Sequence, residues 1–155
     1  MKNHALIPIL LVILVFTFGC KKDNASDNSP ASYSVKVNGN AFAVSLMVAE
    51  YMPSGNLTAI SAAASNKTDF ISIQFIGSAT GTYIINENNA GAVNMGNNSY
   101  MSIFSPIPVG QIVITKFDLA NKLISGTFYF DAEDIDGNVS HVTEGKFENV
   151  ELTQN

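Results

Sequence analysis

The sequence predicts an all-β domain, an antiparallel β-sandwich or flattened barrel of about eight or nine short strands, and three observations point there. From residue 33 onward apolar side chains recur at every second position, not at the 3.6-residue helical period. Outside the first twenty residues no window carries the apolar stripe of an amphipathic helix. Turn-forming residues interrupt the runs at Asn38-Gly39, Ser54-Gly55, Asn66-Lys67, Gly77 to Gly81, Pro106 to Gly110, Asn121-Lys122 and Asp136-Gly137. A chain of 155 residues with 46% apolar and 14% charged residues suits one packed domain.

The first element is residues 1–19, followed by Cys20. Lys2 precedes an apolar stretch from Ala5 to Phe18, and small Gly19 stands before the Cys, the layout of a secretory signal peptide. That stretch is shorter than the roughly 20 residues a helix needs to cross a bilayer, and Pro8 lies within it, which argues against a permanent span. Gly then Cys at its end resembles the lipobox of bacterial lipoproteins. The resemblance implies that the Cys20 thiol is diacylated and that cleavage leaves Cys20 as the new N-terminus, so the predicted lipidation site is Cys20. The alternative is an ordinary signal peptide that ends near a buried Cys. Cys20 is the single Cys of the chain, so disulfides within the chain and Cys-based metal clusters are excluded.

Residues 20–32 form the second element, the lipidated Cys and a tether. KKDNASDNSPAS holds no apolar side chain larger than Ala and cannot bury enough surface to offset its ordering entropy. Twelve such residues span on the order of 20 Å, enough to lift a domain clear of lipid headgroups. The opening CKKDN also resembles the Lys-plus-acid signals that follow the lipidated Cys in surface lipoproteins of the Bacteroidota. That implies an outer-membrane protein exposed at the cell surface.

Residues 33–155 form the single all-β domain. In AFAVSLMV the alternation places Phe42, Val44, Leu46 and Val48 on one face; Ile71, Ile73 and Phe75 share a face in FISIQFI, and Ile124, Phe128 and Phe130 in LISGTFYFDA. The polar stretch NENNAGAVNMGNN, residues 86–98, breaks this rhythm and reads as a long loop, a candidate for recognition or a solvated insertion. Gly126 and Gly145 fall inside strands, where a missing side chain lets a strand bend or a neighbour approach closely.

Between Gly110 and Leu152 the runs GQIVITKFD, NKLISGTFYF and VTEGKFENVEL resemble the C-terminal part of a family of Bacteroidota lipoproteins known only as a domain of unknown function. YSVKVNGNAFAV resembles the opening hairpin common in such proteins. The resemblance implies a small all-β domain on a lipid anchor, and it supplies no catalytic or binding residues.

Side chains that do chemistry crowd only in DAEDIDGN, residues 131–138. Setting Gly137 at the sixth position of a calcium-binding EF loop leaves Ala132 at the first and Thr143 at the twelfth, where carboxylates are required. A hairpin is favoured instead, with Asp136-Gly137 as a two-residue turn needing positive φ. What remains of the metal reading is a weak, adventitious calcium cluster of Asp131, Glu133, Asp134 and Asp136. His141, the single His downstream of Cys20, pairs across from Ala132 in that register, or from Asp134 if the turn slips by one, and in both shares the face of Phe128 and Phe130.

These features exclude several function classes. Eight Lys, no Arg and thirteen acids repel a polyanion, so nucleic acid is not an expected partner. The absence of Trp leaves Tyr33, Tyr51, Tyr83, Tyr100 and Tyr129 as the available sugar-stacking platforms. No G-x-S-x-G elbow or phosphate-binding loop accompanies His141, nor a second His downstream of Cys20, so neither an enzyme nor a cofactor is expected. Two readings stay open. One is a binding module held to the membrane through acylated Cys20, capturing a glycan, peptide or small apolar ligand. The other is an accessory subunit docking on another envelope protein. A barrel cavity favours small-ligand capture, and a filled core with a flat apolar patch favours docking.

Overall fold

The structure is a computed structural model that describes residues 29–66, 68–105 and 109–155. Signal peptide, Cys20 and most of the tether lie outside the described residues. Eleven strands follow in chain order: β1 Ser32–Val37, β2 Asn40–Ala41, β3 Val44–Met52, β4 Leu57–Ala64, β5 Phe70–Ile76, β6 Gly81–Ile84, β7 Ala90–Met95, β8 Asn98–Met101, β9 Gly110–Asp118, β10 Leu123–Glu133 and β11 Val139–Gln154. The fold is all-β, as the alternation predicts, with more strands than expected.

One sheet closes on itself. The ring runs β11–β3–β4–β5–β7–β8–β10 and returns to β11, while β1 and β2 extend it beside β11, and β9 and β6 beside β10. Every pairing is antiparallel except β11 with β3, where Leu152, Thr153 and Gln154 run parallel to Ala49, Glu50 and Tyr51. The opposite closure is narrow, a single pair of Glu133 with Met101. Interior contacts cross the ring: Tyr51 of β3 meets Phe117 of β9 edge to face, Phe75 of β5 lies 4.3 Å from Tyr83 of β6, and Gly91 of β7 sits beneath Phe130 of β10. The result is a flattened barrel in which β6–β9–β10–β11–β1 faces β3–β4–β5–β7–β8. Phe75, Phe130 and Phe147 fill its centre together with Ile60, Ile71, Ile73, Ile112, Ile114 and Ile124.

Alternation places two strands as expected. Ile71, Ile73 and Phe75 point into the core, and so do Ile124, Phe128 and Phe130. It fails in β3. Phe42 and Val44 pack against the core, but the register shifts between Val44 and Leu46. That bulge adds one residue and exchanges the faces, so Met47, Ala49 and Tyr51 turn inward while Leu46 and Val48 stand 58% and 52% exposed.

The expected loop at residues 86–98 is a second correction, because it contains core strand β7. Ala90, Gly91 and Val93 are buried. Its residues are small because large rings lie above them: a Cβ on Gly91 would fall 2.6 Å from three carbons of Phe130. The same economy pairs β10 with β11. Gly145 lies opposite Phe128 and Gly126 opposite Phe147, each glycine leaving room for the ring across the ladder.

β11 serves both halves of the barrel because it bends twice. Glu144 and Asn149 take left-handed conformations, φ +54° and +49°, where the ladder with β10 loses register. In the β10–β11 hairpin the amide of Asp134 donates to the carbonyl of Asn138, and the amide of Gly137 to the carbonyl of Asp134. Gly137 has the predicted positive φ, +82°. The loop holds three residues, Ile135 to Gly137, instead of two.

Candidate functional site

The two halves of the barrel present unlike outer surfaces. On β3–β4–β5–β7 the outward rows run Leu46, Ala63, Phe70, Asn94 and Val48, Ser61, Ser72, Ala92, small or apolar side chains without a charge among them. On β9–β10–β11–β1 most of the outward residues are polar or charged. Thr127 of β10 pairs with Val113 of β9 and Lys146 of β11, and Lys146 pairs in turn with Ser34 of β1. Tyr129 pairs with Gln111 and leaves 45% of its surface to solvent.

A groove of about 320 Å³ lies on this polar surface, lined by Gln111, Thr127, Phe128, Tyr129, Glu144, Gly145 and Lys146. Local sequence builds it. The alternation in Thr127-Phe128-Tyr129-Phe130 sends the phenylalanines to the core and leaves Thr127 and Tyr129 outside. The bulge at Glu144 breaks the β11 ladder opposite Tyr129, so no single β11 side chain faces its ring. Two smaller hollows adjoin: Ser32, Tyr33, Ser34, Lys146 and Glu148 line one of about 220 Å³, and Ser29, Thr115, Lys116, Ser125, Glu148 and Asn149 another of about 250 Å³. Lys146 is common to the groove and the first hollow, and Glu148 to both hollows, so the three are contiguous.

The charges on this surface are paired. Lys36 Nζ lies 2.8 Å from Glu144 Oε1, Lys146 Nζ 2.9 Å from Glu148 Oε1, and Lys116 Nζ donates to Asn149 Oδ1 at 2.7 Å. Of the five tyrosines, Tyr129 alone stands outward in the groove. Tyr51 is buried, Tyr83 and Tyr100 pack on the core, and Tyr33, opposite core residue Phe147 at the start of β1, lines the adjoining hollow and not the groove. Nothing in the alternation separated Tyr129 from the other four beyond its phase against Phe128 and Phe130.

The acidic stretch is divided among other tasks. Asp134 is folded onto its own hairpin: Oδ1 accepts from the amides of Asp136 and Asn138, and Oδ2 from the Asn138 side chain at 2.9 Å. The Asn138 bond, reinforced by those amides, holds the Asp134 carboxyl below its ordinary pKa. Asp131 accepts a 2.8 Å contact from His141 Nδ1. Among the described residues no group of three or more His, Cys, Asp or Glu is placed to hold a metal ion, so Asp131, Glu133, Asp134 and Asp136 do not converge. His141 also departs from its expected place. The three-residue turn sets it opposite Asp131, which puts it on the outer surface away from Phe128 and Phe130. Its backbone is pinned on both sides by Asn38, whose side chain accepts from the His141 amide while the Asn38 amide donates to the His141 carbonyl.

Comparison with known proteins adds one finding. A family model described as Domain of unknown function (DUF6252) matches residues 28–151. Neither a curated protein nor a solved structure matches the chain.

Proposed function

The chain belongs to the DUF6252 family, a membership that assigns no activity, and we propose that it is a lipid-anchored binding module of the cell envelope whose ligand rests in the groove beneath Tyr129. The observation that carries the reading is an exposed tyrosine in a concave patch with Gln111, Thr127, Glu144 and Lys146 around it, polar groups convergent on one apolar surface. The aromatic core of the barrel argues for a ligand on the outer surface over an apolar molecule held inside. Binding without catalysis suits His141, which is committed to Asp131, and a sequence without a nucleophile elbow.

The anchor belongs to the same proposal. A multiply acylated Cys20 at roughly 0.8 kcal/mol per buried CH₂ holds a protein firmly on a membrane, at the outer membrane in this reading. Cys20→Ser is expected to leave the membrane fraction as folded protein, or to persist as an uncleaved precursor. Weighing the N-terminal peptide of the wild-type protein checks the modification directly, and an unmodified Cys20 thiol in a soluble protein would overturn it. For the groove, Tyr129→Ala is expected to abolish co-purification of the native ligand from envelope extracts while the melting temperature stays within a few degrees.

A second reading, an accessory subunit docked on another envelope protein, draws on the part of the β3–β4–β5 surface where Leu46, Val48 and Phe70 are exposed. Leu46→Glu with Val48→Glu distinguishes the two, because it removes a docking contact and leaves the groove intact.

A further inference from the structure

We propose that the groove takes a neutral carbohydrate, a class assignment that rests on the reading of the groove as the ligand site. A sugar ring offers an apolar face of C–H groups and a rim of hydroxyls that both donate and accept. The groove answers both properties. The exposed ring of Tyr129 supplies a flat surface for the C–H face. Around it stand a donor, Lys146, an acceptor, Glu144, and two side chains that do both, Gln111 and Thr127. Its volume of about 320 Å³ lies at the small end of ligand pockets, room for one or two rings, and the contiguous hollows extend the track for a longer chain.

Two competing ligand classes fit less well. An extended peptide binds a sheet through free backbone groups at an edge, but here β9, β10 and β11 are paired with neighbours on both sides. The groove offers no free strand edge to extend. An anionic polymer needs cations to neutralise it, yet Lys36 and Lys146 are already ion-paired with Glu144 and Glu148, the sequence has no Arg and the net charge is −5. A neutral hydroxylated ligand carries no such electrostatic cost, and the ion pairs hold the rim side chains in place for it.

The test uses the whole chain in a detergent without a sugar headgroup, applied to immobilised neutral oligomers of glucose, mannose, xylose and galactose, beside galacturonic acid oligomers and a random peptide library. At least one neutral oligomer is expected to be retained. Tyr129→Ala should weaken that retention about tenfold or more, and Tyr129→Phe, which keeps the ring, should stay within about twofold of wild type. Preference for the acidic oligomers would overturn the neutral assignment. Tyr129-dependent capture of peptides with no neutral oligomer retained would overturn the carbohydrate class and leave the groove as a site. Sugar retention indifferent to Tyr129→Ala in a normally melting protein, or no retention of any probe, would overturn both.

Discussion

Gly91 shows how strictly one residue is specified. Nothing about a lone glycine in NNAGAV marks it as core, yet a Cβ there would overlap the Phe130 ring at 2.6 Å. Gly91→Ala is expected to cost about 1–3 kcal/mol of stability, measured by denaturant unfolding, because a fully buried ring cannot withdraw. An unchanged midpoint would mean that β7 lies elsewhere. Gly137 is constrained differently. A Cβ there would meet only Glu133 Oε1, at an ordinary 3.6 Å, but its φ of +82° resists a β-branched side chain, and Gly137→Val is expected to lose more than about 1 kcal/mol with the barrel contacts intact. Thermal melts of Gly137→Val and Gly137→Asn compare the two causes: Asn tolerates the left-handed region and should recover part of the loss. Gly137 was legible in the sequence, since Asp-Gly announces a turn. Gly91 was not, since the ring that requires it is 39 positions away in the chain.

Among the elements, reading succeeded where a strand kept one phase and failed where the backbone changed it. β5 has no bulge, so Ile71, Ile73 and Phe75 point inward as alternation requires. β3 is bulged at its start, and an alternation counted from Phe42 assigns Leu46 and Val48 to the wrong surface. β7 escaped notice because Ala, Gly and Asn are poor strand formers, and neighbours on both sides impose the extended form. The hairpin misled by a single residue: counting two positions in the turn sends His141 inward, and the actual three send it out to Asp131. The turns themselves share a device. Asp69 accepts from the Gly96 amide and the Asn66 side chain, Asp118 from Asn121, and Asp134 from Asn138, and each carboxyl is held below its ordinary value of 3.8 by these bonds. A lowered folded-state pKa contributes stability that is present above 3.8 and is lost as pH falls through the folded value. The melting temperature is therefore expected to hold above that value and to drop below it. The triple variant Asp69→Asn, Asp118→Asn, Asp134→Asn should flatten that drop, and an equally steep acid limb in the variant would discount these turns as its source.

For the whole molecule the decisive feature is closure by unequal seams. The seam between β8 and β10 is one residue pair, so the parallel contact of β11 with β3 carries most of the ring's continuity. Leu152 is 1% exposed at that contact, and the Thr153 hydroxyl donates to the Ala49 carbonyl beside it. Deleting residues 152–155 removes a buried leucine worth about 2–5 kcal/mol, and hydrogen exchange should rise along Ala49 to Tyr51 before it rises in β10. Uniform exchange would show that the ring does not depend on this seam. Closure was beyond the sequence because TQN at the chain's end has no strand signature, and its partner lies more than a hundred positions upstream. The placement of β1 has a mechanical consequence. The described chain reaches the barrel at Ser29, whose carbonyl accepts from Asn149, and continues into β1, whose pairing to β11 starts at Ser32 with Glu148 and ends at Val37 with Val142. If the proposed anchor and the proposed groove are both engaged, a load between the N-terminal segment and Tyr129 runs along β1 from Ser32 towards Val37. Its ladder bonds then share the force in shear, where peeling would break them one at a time.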